Sequence, residues 1–281
     1  MTDAARARLL AASCAMLAIL VYLNALGNPF VYDDFHTVVD NPSIRDWHNW
    51  RWILGGSRRI LVNASYAIDW AIGRASPIGY HIDNVLLHVC NVVLLFRLTR
   101  RAGLNAAFAA AALLAVHPLL TESVGYVAAR PGLMCTTFAL LGVLVFRVAV
   151  ENSRARWFAA AVAAWIAAAI TKESAVVLPL VYFGWDRLLA PDSPARKTRF
   201  IRFHVPLFVV MIFAGVLRFA LLLKYEHGHS WPTLDHLSTQ AWVWIRYLRL
   251  FVLPIGQSLR HPVAPSLPRA TPPRSRARGP S

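Results

Sequence analysis

Eight apolar stretches, separated by polar or basic residues, most constrain what this chain can fold into. They run from Leu9 to Leu26, Tyr80 to Leu98, Ala106 to Leu120, Leu133 to Val150, Trp157 to Ile170, Ser174 to Leu189, Phe203 to Leu223 and Ala241 to Ile255. A helix that crosses a bilayer needs roughly 20 apolar residues, and in lipid only a helix or a closed barrel satisfies its own backbone. With 57% of its residues apolar and 15% charged, a soluble domain would struggle to keep this surface from water. The expected fold is all-α, a polytopic transmembrane bundle of about eight spans with a long first extracytoplasmic loop.

The net charge of +15 raises the question of nucleic acid. Lys and Arg fall between the apolar runs and form no single stripe, so no nucleic-acid partner is expected. Topology accounts for them better. With Arg6 and Arg8 on the cytoplasmic side, alternate loops carry Arg97, Arg100 and Arg101, then Arg154 and Arg156, then Arg187, Arg196, Lys197, Arg199 and Arg202, as the positive-inside rule requires. The opposite face then holds residues 28 to 79, the turn from His117 to Arg130, the Lys172 corner and the loop from Lys224 to Gln240.

Cys14, Cys90 and Cys135 each lie inside an apolar run at unrelated spacings, which suggests neither a disulfide framework nor a zinc cluster. The first run is long for a signal peptide and is followed by further spans, so it reads as a retained helix. The segment from Asn28 to Gly79 has no long apolar stretch and is expected to form a folded loop with short surface helices, with Trp47, Trp50 and Trp52 at headgroup depth. From Arg260 onward the chain reads Arg, His, Pro, Ala, Ser and Thr with almost no apolar cluster and no acid. Residues 258 to 281 therefore read as a disordered basic tail after a membrane domain at 1 to 257.

Chemistry points first to Asp33 and Asp34, adjacent carboxylates just beyond the first apolar run. Repulsion and partial desolvation raise the cost of ionising both, so the site is expected to offer a cation, a proton to move or a hydrogen-bond donor. One carboxylate can take the proton of an attacking hydroxyl while the other orients it or holds a divalent cation, Mg or Mn. A second group is His117 with Glu122, Tyr126 and Arg130: if a helix restarts after Pro118, Glu122, Tyr126 and Arg130 share one face. A third is Lys172 and Glu173, wedged so tightly between apolar runs that both sit at the membrane boundary. Either Lys172 or Arg130 suits a phosphate. His81, Asn84, His88 and Asn91 recur at three and four residues along the second span. That stripe must face the bundle interior, where interhelical hydrogen bonding is favoured over metal binding. Arg218, Lys224, Arg246 and Arg249 are weaker anion candidates, explained mostly by snorkelling. Asn63 and Ser65 fit a glycosylation sequon, a short and frequent pattern.

These residues resemble the membrane domain of the transmembrane and tetratricopeptide-repeat proteins, O-mannosyltransferases of the GT-C class, and their bacterial relatives. The resemblance rests on Asn28 to Arg45 with the acidic pair, Gly79 to His81 with Asn84 to His88, Ala115 to Pro118 with Thr121 to Val124, Ala128 to Arg130, and Thr171 to Glu173 through Leu178 to Leu180. It implies an enzyme embedded in the lipid bilayer, with a polyprenyl- or dolichyl-phosphate sugar donor and a protein or glycan acceptor hydroxyl. The sugar passes with inversion on the extracytoplasmic side: the periplasmic face of a bacterial inner membrane, or the lumenal face of the endoplasmic reticulum. On that reading Asp33, Asp34 and Glu122 are the catalytic set, Arg130 and Lys172 hold the donor phosphate, and His117, Tyr126, Glu173, His81 and His88 support them. The phosphate leaves readily as an anion, so the chemistry asks for cationic stabilisation and no partner acid. Relatives carry further spans and helical repeats beyond the region ending near Gln257. The Pro- and Arg-rich sequence here leads to the expectation of a truncated or frame-shifted chain. A transporter or lipid-phosphate carrier, which predicts an inverted repeat, and an inactive scaffold are the competing readings.

Overall fold

The computed structural model describes residues 2–46, 48–55, 57, 59–190, 192–225 and 233–256. Twelve α-helices are seen among them: α1 Asp3–Tyr22, α2 Trp50–Gly55, α3 Ile60–Gly73, α4 Pro77–Thr99, α5 Leu104–Val116, α6 Leu120–Gly125, α7 Arg130–Asn152, α8 Ala155–Ala169, α9 Leu178–Leu188, α10 Ala195–Arg199, α11 Val205–Tyr225 and α12 Thr233–Val252. Each expected apolar run is helical over most of its length, with breaks at residues 117–119 and after Val252. Length and composition separate them: among the described residues, four continuous helical segments are long and apolar enough to cross a bilayer, Asp3–Gly27, Pro77–Ala102, Val127–Asn152 and Ala195–Leu217. Those of α5 and α8 are apolar but shorter. The chain divides into two compact units, one ending at Leu221 and the second beginning at Leu222. The expectations for Trp47 and for residues 258 to 281 lie outside the described residues, as do the side chains of Arg218 and Lys224.

In the first unit, α1 packs into the bundle. Ala7, Cys14 and Ala18 of α1 are buried with Val92 and Phe96 of α4 and with Ala107, Ala111 and Ala115 of α5. Small residues at four-residue spacing let helix backbones approach closely, which in lipid replaces the hydrophobic drive available in water. A second cluster is aromatic: Phe146 of α7 stacks on Tyr182 of α9 at 5.1 Å and on Phe203 at 5.2 Å, and Trp165 of α8 and Trp185 of α9 close around it. Gly142 makes the α7–α8–α9 crossing possible. A methyl group there would collide with the Tyr182 hydroxyl and press on the Ala164 methyl at 3.3 Å.

The α4 stripe faces inward as its spacing predicts. His81, Asn84, His88 and Asn91 are all buried, and three of them are spent between elements. The Asn84 amide donates to the Tyr126 carbonyl at 3.1 Å, His88 Nε2 lies 3.3 Å from the Ala115 carbonyl, and the Asn91 amide donates to the Leu133 carbonyl at 3.1 Å.

Residues 28–76 fold into short helices, as expected, and they bury more than a surface loop would. Val38, Ile44, Ile53, Val62 and Tyr66 form a cluster with Tyr80 of α4 and Val127, so this segment caps the bundle end from which α4 and α7 start. Trp50 and Trp52 stay exposed. Asn63 does not: it is buried and its amide nitrogen donates to the Ser43 hydroxyl at 3.1 Å and to the Ile53 carbonyl. The sequon asparagine is thus part of the cap's interior.

If Gly142 sets the crossing, Gly142→Ala should cost about 1–3 kcal/mol through overpacking, read as a lower melting temperature in detergent. Adding Tyr182→Phe should recover part of that loss, because it removes the colliding oxygen.

Candidate functional site

The acidic pair sits in a tight turn between α1 and the short helical stretch Phe35–Val39. The N–H of Asp34 donates to the Val31 carbonyl at 3.0 Å, and Tyr32 in between takes a positive φ of 47°. A non-glycine residue held there costs roughly 1–3 kcal/mol unless its surroundings impose it. Here they do. One oxygen of the Asp34 carboxylate accepts the Val31 N–H at 3.0 Å and the other accepts the Ala128 N–H at 2.7 Å. The Asp33 N–H donates to the Tyr126 hydroxyl at 2.8 Å.

The two acids therefore differ. Asp34 is fully buried; burial raises its pKa above the usual carboxylate range, with the Asp33 charge adding to the rise and the two backbone N–H groups opposing it. Asp33 is exposed. Tyr126, half-buried beside it, has its hydroxyl pKa raised by burial first and by the two nearby carboxylates after that.

The Glu122–Tyr126–Arg130 stripe expected on one helix does not form. α6 stops at Gly125, Tyr126 is extended at φ −117° and ψ 120°, and a fresh helix begins at Arg130 with Pro131 in its first turn. Proline fits an N-terminal turn and not a helix interior, so it divides the stripe. Glu122 ends exposed on α6. The segment from Tyr126 to Ala129 is instead gripped from two sides. Asp34 holds Ala128 from one, and Asn84 and Tyr66 hold the Tyr126 and Val127 carbonyls from the other, Tyr66 at 2.9 Å.

Beneath that segment lies Arg130, fully buried. Sequence alone put it on a phosphate, but the fold turns its guanidinium inward, because a cation without water needs protein acceptors. Nε donates to Asn84 Oδ1 at 3.0 Å, Nη1 to the Ser65 hydroxyl at 3.0 Å, and Nη2 to the Tyr80 carbonyl at 2.9 Å. Asp69 supplies the counter-charge at 2.7 Å, Asp83 lies further off at 3.9 Å, and the Tyr66 ring stacks under the guanidinium at 4.6 Å. Burial raises the Asp69 pKa, which Arg130 opposes and Asp83 reinforces. A cavity of about 290 Å³ opens beside this cluster, with polar walls from Ser65, Asp83 and Arg130 and apolar ones from Leu86, Leu87 and Met134.

Lys172 occupies the tight corner between α8 and α9 that its sequence predicts, in extended backbone at φ −152°. Its ammonium lies 3.6 Å from where a Cβ on Gly132 would sit, which places it at the first turn of α7, two residues from Arg130. Glu173 pairs with Arg59 at 3.5 Å and both are part-exposed, so the pair contributes little to stability. His117 is spent locally, its Nδ1 accepting the Leu119 N–H at 3.3 Å. His88 lies deeper, edge-on to the Tyr22 ring, and His81 is buried near the Asn28 backbone. The fold thus gathers Asp33, Asp34, Tyr126, Arg130 and Lys172 around the start of α7, and leaves Glu122, His117 and His88 at its margins.

Sequence reasoning missed Asp69, Ser65, Tyr66 and Tyr80, which surround Arg130. The available signal was one acid in the otherwise apolar Ile60–Gly73 helix, where an unpaired charge would be expensive. It also missed a buried trio remote from this site, in which Asp186 accepts from Arg199 at 2.8 Å and lies 3.1 Å from His204. Among the described residues no group of three or more His, Cys, Asp or Glu is placed to hold a metal ion. The acidic pair offers one exposed carboxylate, because Asp34 is occupied by backbone N–H groups. Among the described residues, one exposed carboxylate beside one held by backbone N–H groups does not make a divalent-cation site.

Residues 67–223, more than half of the chain, match the family model described as dolichyl-phosphate-mannose-protein mannosyltransferase. The acidic pair precedes that segment. Protein O-mannosyl-transferase Tmtc2 of Drosophila melanogaster is 32% identical over 209 residues, covering 66% of this chain and 22% of the relative. Tmtc1 of the same organism is 31% identical over 199 residues, 64% of this chain and 23% of the relative. F38B6.6, a protein O-mannosyl-transferase of Caenorhabditis elegans, is 28% identical over 150 residues, 46% of this chain and 21% of the relative. The chain thus spans less than a quarter of the length of these relatives. No solved structure matches it.

Two substitutions test the geometry. Arg130→Met should destabilise by about 3–5 kcal/mol, because it strands the buried Asp69 charge, and Arg130→Met with Asp69→Asn should recover part of the loss. Thermal unfolding of the three proteins in one detergent reads the difference, and equal melting temperatures for all would contradict the pairing.

Proposed function

Because the chain belongs to the dolichyl-phosphate-mannose-protein mannosyltransferase family, we propose that it moves mannose from a polyprenyl-phosphate carrier to the hydroxyl of a protein Ser or Thr. Transfer takes place at the extracytoplasmic surface: the periplasmic side of a bacterial inner membrane, or the lumenal side of the endoplasmic reticulum. One observation carries the reading. The acidic turn and the start of α7 are joined by the Asp34–Ala128 and Asp33–Tyr126 hydrogen bonds, so an exposed carboxylate and a half-buried lysine belong to the same end of the bundle.

The roles follow from exposure and partners. Asp33, whose carboxylate reaches solvent, is the base: it takes the proton of the acceptor hydroxyl as that oxygen attacks the anomeric carbon. The bond from that carbon to the phosphate oxygen breaks, its electron pair leaves with the phosphate, and attack from the face opposite the leaving group inverts the centre. Asp34, with both oxygens occupied, fixes the turn and keeps Asp33 in place. Lys172 takes the charge that develops on the leaving phosphate. An ammonium serves this as a point charge, where the Arg130 guanidinium is already saturated by protein acceptors. Arg130 is then a positioning residue, holding the loop that Asp34 and Tyr126 grip.

Purified protein with labelled polyprenyl-phosphate mannose and Ser- or Thr-containing peptides tests this. Asp33→Asn should lower kcat by about 100-fold or more, the usual scale for losing a general base, with the melting temperature unchanged. Lys172→Gln should lower kcat and leave the apparent affinity for the acceptor peptide as it was. Transfer that persists in the Asp33→Asn, Asp34→Asn double variant sinks the assignment.

A further inference from the structure

The cluster around Arg130 holds two carboxylates for one cation. Asp69 pairs with the guanidinium at 2.7 Å, and Asp83 of α4 stands 3.9 Å from the same group. The surplus negative charge is felt within the cluster. Burial pushes the Asp69 carboxyl up to about 7 against the pull of Arg130, and its hydrogen bond and repulsion with Asp83 push the same way as burial. Among the described residues, the titratable groups set against Asp69 are Arg130 of α7, Asp83 and Tyr80 of α4, and Tyr66 of its own helix. Arg130 is the only cation among them.

The cavity beside the cluster opens onto that surplus. Asp83, Ser65 and Arg130 form its polar wall, and Leu86, Cys90 and Met134 are on the apolar one. The Asp83 side chain is 43% exposed while Asp69 and Arg130 are enclosed, so the outer carboxylate is the one a ligand meets. At 1.5 Å per residue, Asp83 lies about 9 Å along α4 from Pro77, the depth at which a bilayer's head groups give way to hydrocarbon. Leu86 and Cys90, four residues apart on one face of α4 and both exposed, carry the wall on towards the bilayer centre.

Charge and depth together select the occupant. A carboxylate at the edge of hydrocarbon is costly to keep ionised without a partner, so the cavity calls for a cation with an apolar chain behind it. A volume of about 290 Å³ is smaller than most sites that enclose a whole ligand. It suits a head group whose chains lie outside. A metal ion does not answer the charge, because Asp69 is held by Arg130 and, among the described residues, no three acids, histidines or cysteines converge. A basic peptide would have to leave water to reach Leu86 and Cys90. We propose that the cavity seats the protonated primary amine of a membrane aminophospholipid, its N–H groups donated to the Asp83 carboxylate and its acyl chains lying against Leu86 and Cys90. The lipid then supplies the second cation of the Arg130 cluster. This site is separate from sugar transfer and does not rest on the transferase reading.

The test gives the full chain, purified in detergent, equal amounts of phosphatidylethanolamine and phosphatidylcholine, and counts the retained lipid by native mass spectrometry. The unaltered protein should retain phosphatidylethanolamine over phosphatidylcholine, with N-methylated forms falling between as N–H donors are lost. Asp83→Asn should weaken retention by about tenfold or more, the scale of losing a charged hydrogen-bond partner, and Asp83→Glu should keep most of it. Leu86→Trp, which leaves the charge and fills the apolar wall, should weaken it too. Added phosphatidylethanolamine should raise the melting temperature of the unaltered protein and leave that of Asp83→Asn where it was. Because a proton on Asp69 cancels the surplus charge, retention should weaken as the pH falls through about 7. Equal retention of the two lipids by the unaltered protein, a comparison that needs no variant to fold, would overturn the proposal. So would retention unchanged by Asp83→Asn, or glycerophosphoethanolamine, the same head group without chains, binding as tightly as the lipid.

Discussion

One fully buried cation, Arg130, organises the end of the bundle where the acidic turn lies. Its side chain is fully enclosed, and an isolated charge in that position would be prohibitive. The fold meets it with the Asp69 carboxylate, the Asn84 and Ser65 side chains, the Tyr80 carbonyl and the Tyr66 ring. Those partners come from α3 and α4, so one guanidinium ties three helices together. Two of the same side chains also hold the backbone above it, Asn84 at Tyr126 and Tyr66 at Val127. Whatever loosens Arg130 loosens the segment to which both aspartates are attached.

This arrangement explains how a strained turn persists at the rim of a membrane protein. The acidic turn is irregular, and irregular backbone near lipid needs its polar groups satisfied. Asp34 takes two backbone N–H groups, one from its own turn and one from across the bundle end, and thereby spends its carboxylate on structure. Asp33 is left to face outward. Two adjacent residues of one type are thus set apart by burial and by hydrogen bonding, as differing environments set apart carboxylate pairs in general.

Much of this was legible in the sequence, and the misses share a cause. The apolar runs gave the helices, and the three- and four-residue spacing of His81, Asn84, His88 and Asn91 gave the inward face of α4, because a polar residue in lipid has few places to go. The Lys172 corner followed from the brevity of its polar segment. The Glu122–Tyr126–Arg130 face did not form, because helical spacing was carried through Gly125 and Pro131, where the chain breaks and restarts. Arg130 was given to a ligand for a different reason: its partners Ser65 and Asp69 are more than sixty positions away, and no local pattern announces a contact at that separation. Helix length was the other gap. Apolar composition shows that α5 and α8 avoid water, but not that they are shorter than a bilayer is thick.

The central claim is that loops at one end of the bundle converge on the acidic turn to hold a lipid-borne phosphosugar, with the phosphate on Lys172 and the anomeric carbon before Asp33. Its most direct test is an experimental structure of the protein with a non-hydrolysable polyprenyl-phosphate mannose. The account requires phosphate density within hydrogen-bonding distance of the Lys172 ammonium, with Arg130 still enclosed by Asp69, Asn84 and Tyr80. Phosphate seated on Arg130, or at the Arg100, Arg154 and Arg196 end of the bundle, would contradict it.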